Sequence, residues 1–363
     1  MGRVVFHIDF DYFYAQCEEV RKPELKTKPV CVCVFSDRGA GSGAIATANY
    51  TARKYGVKSG IPISFAKKRL EQRNDAVFLP VDFEYYSEMT EKAMEIMKEN
   101  ADVFEYVGRD EAYLDVTKRV EENYEKASHL AQQIKNKIRA KIKLSCSIGV
   151  SSNKLISKIA SNYQKPDGLT IIEPDKIEQF LKPLNIRVIP GIGGKTEQRF
   201  KEMNLETIED LKKIDVFTLN KEFGRKNGTY MYNAIRGIND EPVKEKEEST
   251  QYSKITTLKK DSKDHEFLLE NLKGLCKQVH DVITKNNKMF KSIGIHFVQS
   301  DLTNKSKSKI LRNSTNNLEE LEKNAEQLLL DALDNQTMTI RRLGVKVADL
   351  TEIKGQSDIT NYF

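Results

Sequence analysis

The 363-residue sequence contains no apolar run approaching the roughly 18–20 residues of a membrane-spanning helix. Between Met1 and Asp11 a charged residue arrives too early for a secretory signal, so no membrane partner and a cytoplasmic location are expected. Cysteine is scarce as well: there are five (Cys17, Cys31, Cys33, Cys146, Cys276), with no Cys-x-x-Cys pair, and most lie in apolar runs. Buried thiols are expected there, not a disulfide framework or a zinc site. Nor does one sign of charge dominate: 59 Lys and Arg against 53 Asp and Glu leave +6, too even by itself to mark a nucleic-acid binder. What is present is 39% hydrophobic and 31% charged sequence, with apolar stretches along the whole length, which excludes wholesale disorder. At roughly 100–200 residues per domain, two to four domains are predicted.

Val4 to Ile8 reads as a central strand ending at two carboxylates, Asp9 and Asp11, interleaved with aromatics. A second strand is predicted over Val30 to Phe35, then a small-residue stretch from Gly39 to Ala48 and a helical segment carrying Tyr50, Arg53 and Lys54. These make a compact subdomain to about residue 78. The spacing of Tyr86, Met89, Ala93, Ile96 and Met97 predicts an amphipathic helix over Tyr85 to Glu99, and Val103 to Val107 leads as a strand into Asp110-Glu111. A helix over Tyr124 to Ala140 and a strand over Leu144 to Val150 complete a mixed α/β order that suggests a ferredoxin-like sheet. From 171 to 240 short helices are broken by Pro174, Pro183, Pro190 and a glycine cluster, a small helical domain. Pro242 to Ser253 is dense in Lys, Glu, Ser and Thr and reads as an exposed linker. Beyond it, strands at Ile255 to Leu258, Ser292 to Val298, near Lys309 to Leu311 and Ile340 to Val347 alternate with helices at Phe267 to Lys285 and Leu318 to Leu333. That β-α-β-β-α-β order predicts a second α/β domain.

Asp9, Asp11, Asp110 and Glu111 come from two segments about 100 residues apart, each at a strand end, and hard divalent ions need carboxylate oxygens converging in this way. Magnesium is the expected guest. Tyr50, Arg53 and Lys54 on one helical surface, with Lys165 in a Gln-Lys-Pro-Asp-Gly turn, supply the fork, point charge and hydroxyl that triphosphate oxygens want. Val188 to Phe200 places Gly191 and Gly193 between helical stretches, where backbone N–H groups can approach a phosphate without reading bases. Two basic runs stand out. Leu130 to Asp167 carries Lys135, Lys137, Arg139, Lys141, Lys143, Lys154, Lys158 and Lys165 against Asp167 alone, and Lys285 to Arg312 carries Lys285, Lys288, Lys291, Lys305, Lys307, Lys309 and Arg312 against Asp301 alone. Both are candidate phosphate-facing stripes, suggesting a long duplex gripped at several points. The final residues, Gln356 to Phe363, form a polar tail whose Ile359, Tyr362 and Phe363 make an apolar plug for a partner's pocket.

These residues resemble the Y family of translesion DNA polymerases, of the archaeal DinB-like type, over essentially the whole chain. The similarity is carried by Ile8-Asp9-Phe10-Asp11-Tyr12-Phe13-Tyr14, Ala46-Thr47-Ala48-Asn49-Tyr50-Thr51-Ala52-Arg53, Asp110-Glu111-Ala112-Tyr113-Leu114-Asp115, Ser147-Ile148-Gly149-Val150-Ser151-Ser152-Asn153-Lys154 and Pro190-Gly191-Ile192-Gly193. The resemblance implies an α/β (α+β) right hand: palm over 1–12 and 78–170, fingers over 13–77, helical thumb with a helix-hairpin-helix over 171–241. It also implies a linker over 242–253, a little finger over 254–350 and a clamp-binding tail over 351–363. It assigns two Mg²⁺ ions, with Mn²⁺ as a substitute, to Asp9, Asp110, Glu111 and the Phe10 carbonyl, and it demotes Asp11, which is not usually a ligand. Phe13, Tyr14, Ala46, Thr47, Tyr50, Arg53 and Lys165 would hold the dNTP, Tyr14 as the steric gate against a ribose 2′-hydroxyl, and Ala44 and Ala46 would roof the nascent pair. Gly191, Gly193, Lys195, Lys291, Lys307, Lys309 and Arg312 would contact primer-template DNA. Gln356, Ile359, Tyr362 and Phe363 would anchor a sliding clamp.

The implied activity is template-directed, lesion-bypassing nucleotidyl transfer by a monomer, with low fidelity and no proofreading. Gly108-Arg109 departs from the family's usual small polar and aliphatic pair; a cation there would compete with metals or contact phosphate, so an altered metal requirement is expected. The Lys244 to Ser249 linker is less basic than in some relatives. A nucleotidyl cyclase would share the carboxylates but has no use for the glycine hairpin, basic runs and tail. A non-catalytic DNA and clamp adaptor would use those three but not the acids, Tyr14 or Arg53.

Overall fold

A computed structural model describes residues 2–39, 41–245, 248–334 and 338–353. The chain divides into two units, one of residues 1–34 and 44–247, the other of residues 35–43 and 248–363.

The first unit is built outward from β1 (Val5–Phe10), which sends Phe6, Ile8 and Phe10 into the core and turns Val5, His7 and Asp9 to its other, also covered, face. Next come α1 (Phe13–Arg21), β2 (Val30–Phe35), β3 (Gly43–Ala48), α2 (Tyr50–Arg53), α3 (Ile63–Arg69), β4 (Val77–Pro80) and α4 (Phe83–Glu99). They lead on to β5 (Val103–Tyr106), β6 (Glu111–Asp115), α5 (Tyr124–Ile142), β7 (Cys146–Ser151), α6 (Lys154–Tyr163) and β8 (Leu169–Ile171). The main sheet has the order β5-β6-β1-β7-β8, so β1 is central. Its antiparallel register sets Asp9 opposite Glu111 on one side and Ser147 on the other. The core beneath joins Phe6, Ile8 and Phe10 to Met97 of α4 and Ile134 and Ile138 of α5. A smaller sheet, β3-β2-β4, closes over a separate cluster that includes Cys31, Ile45 and Ile63. Here the structure adds a strand that the glycine- and alanine-rich stretch did not announce, because pairing within a sheet overrides weak β-propensity.

A helical region follows, of α7 (Ile177–Leu181), α8 (Gly194–Glu202), α9 (Ile208–Lys212), α10 (Val216–Phe223) and α11 (Arg225–Ala234), around Ile186, Ile189, Phe200 and Leu219. The stretch read as a linker is shorter than expected. Val243 is buried against Val5 and Tyr113, and the Lys244 N–H donates to Glu105 Oε2 at 2.9 Å.

In the second unit β9 (Gln251–Ser262) already begins inside that stretch. It is followed by α12 (His265–Lys285), β10 (Lys288–Gln299), β11 (Asn304–Thr315), α13 (Leu318–Leu333), β12 (Ile340–Ala348) and β13 (Thr351–Glu352). The strand order is β11-β10-β12-β9, with β13 beside β10, so residues 351–352 belong to the sheet and not to the tail. Ile293, Ile295, Phe297, Leu343, Val345 and Val347 share the face packed against α12 and α13.

The five cysteines are buried thiols, as the sequence suggested. Burial pushes Cys31, Cys146 and Cys276 up to about 12. Among the described residues no helix is long and apolar enough to cross a membrane.

Candidate active site

Asp9 sits one residue from the end of the central strand, and the Phe10 N–H donates to the Asp110 carbonyl at 2.8 Å. That bond ties the end of β1 to the turn before β6. Residues two apart on a strand share a face, so His7 and Asp9 lie together, and Glu111 is directly across. Ligand atoms of His7, Asp9 and Glu111 all fall within 4.8 Å of one another. Asp110, in the bend just before β6, is not one of that tight cluster; it lines the pocket beside Asp9. Asp9 is common to the cluster and to the pocket, and Asp110 lies near enough to both Asp9 and Glu111 for their charges to act on one another.

Two lysines neutralise the cluster. Lys165 pairs with Asp9, and Lys158 Nζ lies 2.5 Å from Glu111 Oε2. His7 is fully buried, with Nε2 3.1 Å from Glu111 Oε2 and Nδ1 2.7 Å from Ser161 Oγ. The His7 hydrogen bond, helped by Lys158, holds Glu111 down to about 2. Burial pushes the Asp9 carboxyl up against the pull of Lys165, and a neighbouring charge at Asp110 adds to the rise. Asp110 is raised too, by the protein around it and then by Glu111, although it opens more to solvent. At both carboxyls the chief cause is burial, which disfavours the ionised form. The donor set fits divalent cations: hard carboxylate oxygens converge, and lysine ammonium groups already stand against two of them.

Asp11 has a different job. It is fully buried and accepts from Ser145 Oγ at 2.9 Å, Ser147 Oγ at 2.8 Å and the Asp167 N–H at 2.8 Å, pinning the Lys165 turn to β7. Tyr12 then turns the chain with a left-handed backbone (φ 38°), strained for a bulky residue, and delivers Phe13 and Tyr14 at the start of α1.

A pocket of about 300 Å³ gathers Asp9, Phe10, Tyr12, Phe13, Tyr14, Ala46, Thr47, Arg53, Ser59, Asp110 and Lys165. Arg53 is aimed by its Nε–H, which donates to the Ala48 carbonyl at 2.8 Å, and by stacking on Tyr50. Ala44, two positions before Ala46 on the same face of β3, bridges Pro62 and stands outside the lining. Tyr50 lines instead a larger cavity of about 640 Å³, with Tyr12, Glu19, Arg139 and Asp167. Asp9, Asp110, Arg53 and Lys165 all line the smaller one.

The basic run from Leu130 to Asp167 is a correction. Lys135 is buried, its Nζ donating to Asp167 Oδ1 and to the carbonyls of Cys146, Asp167 and Gly168 at 2.7–3.0 Å. Lys137 pairs with Glu99, Arg139 with Asp167, and Lys154 with Glu105 and Glu241. Lys135 and Lys154 are buried in these pairings while Arg139 stays exposed; Glu99, Glu105 and Glu241 come from elsewhere in the chain, and Asp167 is the run's own acid. In the helical region Gly191 takes φ +88°, Gly193 caps α8 and Lys195 is exposed in its first turn.

On the second unit Lys307 bonds the Asp331 carbonyl and Lys309 Nζ reaches Asn324 Oδ1 at 2.9 Å, both on α13, so these side chains lean to the helix-covered face. Lys291 is exposed at the β10 bulge. Arg312 alternates to the open face of the sheet, where Arg342 and Lys346 of β12 and His296 of β10 join it; burial and then the charges of Lys346 and Arg342 lower the His296 pKa. Sequence reasoning missed Arg342, Lys346 and His7. The first two lay in a strand read for its apolar positions, while His7 was legible as a polar residue two before Asp9. Gln356, Ile359, Tyr362 and Phe363 lie outside the described residues.

Comparison with known proteins accounts for this arrangement. Residues 8–162 match the impB/mucB/samB family, 187–239 a thumb domain described for DNA polymerase iota, and 249–360 the impB/mucB/samB family C-terminal domain. The chain is 76% identical to the DNA polymerase IV of Nitrosopumilus maritimus, over 99% of each protein. The chain belongs to the Y family of DNA polymerases. Within that family it is 39% identical to the DNA polymerase IV of Methanosarcina acetivorans over all of both chains. A solved Y-family chimera of Dbh and Dpo4 superimposes with a TM-score of 0.89 at 34% identity, covering 96% of this chain and 99% of that one. An insertion ternary complex of Dbh DNA polymerase gives 0.69 at 34% identity, over 96% and 99%. The fold is therefore the α/β right hand of that family, with a helical thumb and a little finger, and the protein is a DNA-directed DNA polymerase of the translesion class. A cyclase and a non-catalytic adaptor are set aside.

Proposed function

We propose that the pocket holding Asp9, Asp110, Tyr14, Arg53 and Lys165 is where an incoming dNTP meets a primer 3′-hydroxyl on template DNA. The observation that carries this is one cavity in which acids sized for metal ions and cations sized for phosphates face each other. Asp9, Asp110 and Glu111, with the Phe10 carbonyl, would hold a pair of Mg²⁺ ions, with Mn²⁺ as a substitute. Bound there, the ions stabilise charge on the attacking and leaving oxygens of an in-line displacement. Arg53 and Lys165 hold the triphosphate, Lys165 exchanging Asp9 for phosphate oxygens, and Tyr50 orients Arg53. His7 and Lys158 keep Glu111 ionised. Tyr14 fills the space a 2′-hydroxyl would need, and the small residues Ala44 and Ala46 leave room over the nascent pair, which favours bypass of damaged bases at low fidelity.

Duplex contacts are assigned to Gly191, Gly193 and Lys195 in the first unit, and in the second to Lys291 and the open face carrying Arg312, Arg342 and Lys346. The domain limits follow the family's parts with two adjustments: the linker ends before Gln251, and the little finger runs through Glu352. The tail from Gln356 is assigned to a sliding clamp on its sequence pattern.

Primer extension tests the reading. Product that follows the template and disappears in Asp110→Ala is expected, whereas undiminished product in that variant refutes the assignment of the acids.

A further inference from the structure

Arg109, the residue expected to disturb the metals, has its guanidinium 4.7 Å from the centre of the Phe83 ring. Phe83 opens α4 and is 45% exposed, so its outer side has little but that guanidinium to hold it. The same ring meets Tyr14 edge-on, with centroids 6.1 Å apart and planes at 80°. Tyr14 in turn stacks on Tyr86 at 4.5 Å and 15°. Tyr86 is fully buried, and its hydroxyl donates to Glu18 Oε1 at 2.8 Å. The shelf under Tyr14 thus has one rigid member, Tyr86, and one adjustable member, Phe83.

The backbone ties the two together. The buried Thr90 hydroxyl sits 2.9 Å from the Tyr86 carbonyl and 2.8 Å from the Arg109 carbonyl. The turn that presents Asp110 is therefore fastened to the helix that supports Tyr14, and the Arg109 side chain adds a second fastening on the exposed side. A planar guanidinium suits this because it lies flat on a ring, and a weakly hydrated cation loses little in doing so.

We infer that Arg109, acting through Phe83, is a positioning residue for sugar selection: it fixes the tilt of Tyr14 and sharpens rejection of nucleotides bearing a 2′-hydroxyl. Its action is on the gate and not on the metals. The inference rests on the gate assignment of Tyr14 made above.

The test is single-nucleotide insertion by the full chain on one primer-template, with kcat/KM measured for a dNTP and the matching rNTP. Tyr14→Ala should abolish most of the preference for deoxyribose. Arg109→Ala should lower that preference about two- to fivefold, the scale a partly exposed cation–π contact supports. Phe83→Ala should lower it by the same factor, the double variant should lose no more than either single one, and Arg109→Lys should recover part of the loss. An unchanged sugar preference in Arg109→Ala, with Tyr14→Ala defective, overturns the inference and leaves the gate standing. Equal loss of dNTP and rNTP insertion in Arg109→Ala also overturns it. If Tyr14→Ala itself keeps the preference, the gate reading falls and this inference falls with it.

Discussion

The two basic runs look alike as sequence and behave differently as structure. Of the eight cations between Leu130 and Asp167, six are in ion pairs with Glu99, Glu105, Glu111, Asp9, Asp167 or Glu241. Of the seven between Lys285 and Arg312, Lys288 is the one in an ion pair among the described residues, with Glu248 and Glu352. The first run is mostly paired with acids of its own unit, from the buried Lys135 to the exposed Arg139. The second is an exposed strand beside a positively charged sheet face. Charge counted along a sequence does not say how much of it the fold has already paired.

Substitutions can break or sharpen this contrast. The largest effect is expected at Lys135, where Lys135→Met leaves Asp167 and three carbonyls without their shared donor. Loss of one partner of a buried pair costs about 3–5 kcal/mol, so thermal or urea unfolding should shift far downward. An unchanged midpoint would return Lys135 to the surface. At Lys165 the cost should fall on catalysis: Lys165→Ala removes charge-assisted bonds worth about 1.5–3 kcal/mol each. dNTP insertion should weaken about ten- to a hundredfold while DNA affinity holds, and a parallel loss of DNA affinity would move Lys165 from the triphosphate to the duplex.

The open sheet face, to which the second run contributes Arg312, should respond the other way. Replacing Arg312, Arg342 and Lys346 together with alanine should leave the melting temperature in place and make the salt dependence of DNA binding shallower, by about 0.9 in log–log slope for each phosphate no longer neutralised. A slope identical to wild type would leave the open sheet face without its assigned partner.

The smallest effect concerns pH. Glu111 is held at about 2 in the folded protein against an ordinary 4.5, so its ionised form stabilises the fold fully above about pH 4.5 and ceases to as pH falls through about 2. With a chelator present, Glu111→Gln should be less stable than wild type at pH 6, by on the order of 1–2 kcal/mol. The gap should narrow steadily below pH 4.5; a gap independent of pH would show that charge at Glu111 is not what stabilises.

Much of the architecture was legible. Strand Val30–Phe35 and helix Leu318–Leu333 have the predicted limits, since their apolar periodicity is unbroken and their ends are marked by turn or capping residues. The β-α-β-β-α-β order of the second unit is present as read. Less legible were β3, in which Ile45 is the one large apolar residue among glycine, alanine and threonine, and the first residues of β9, polar enough to pass for linker until they pair with β12. At the site, Asp9, Asp110, Tyr14, Arg53 and Lys165 were named from sequence and share one pocket. The entry of His7 beside Asp9 and Glu111 follows from which way a side chain leaves an extended backbone and which strand lies opposite.

Sequence alone determined the inventory and its order: acids at strand ends, a tyrosine just past the first strand, small residues over the pocket, and family motifs strung in one direction. Those features are local, because periodicity, turn chemistry and side-chain size act over a few neighbours. Tertiary structure alone decided which charges are spent inside and which face outward, that Arg109 lies on Phe83 and not on a carboxylate, and that Asp11 braces a turn. Electrostatic and ring contacts depend on distance in space, and residues 49 to 156 positions apart in the chain, such as Lys154 with Glu105 or Lys165 with Asp9, meet only after the sheet has formed.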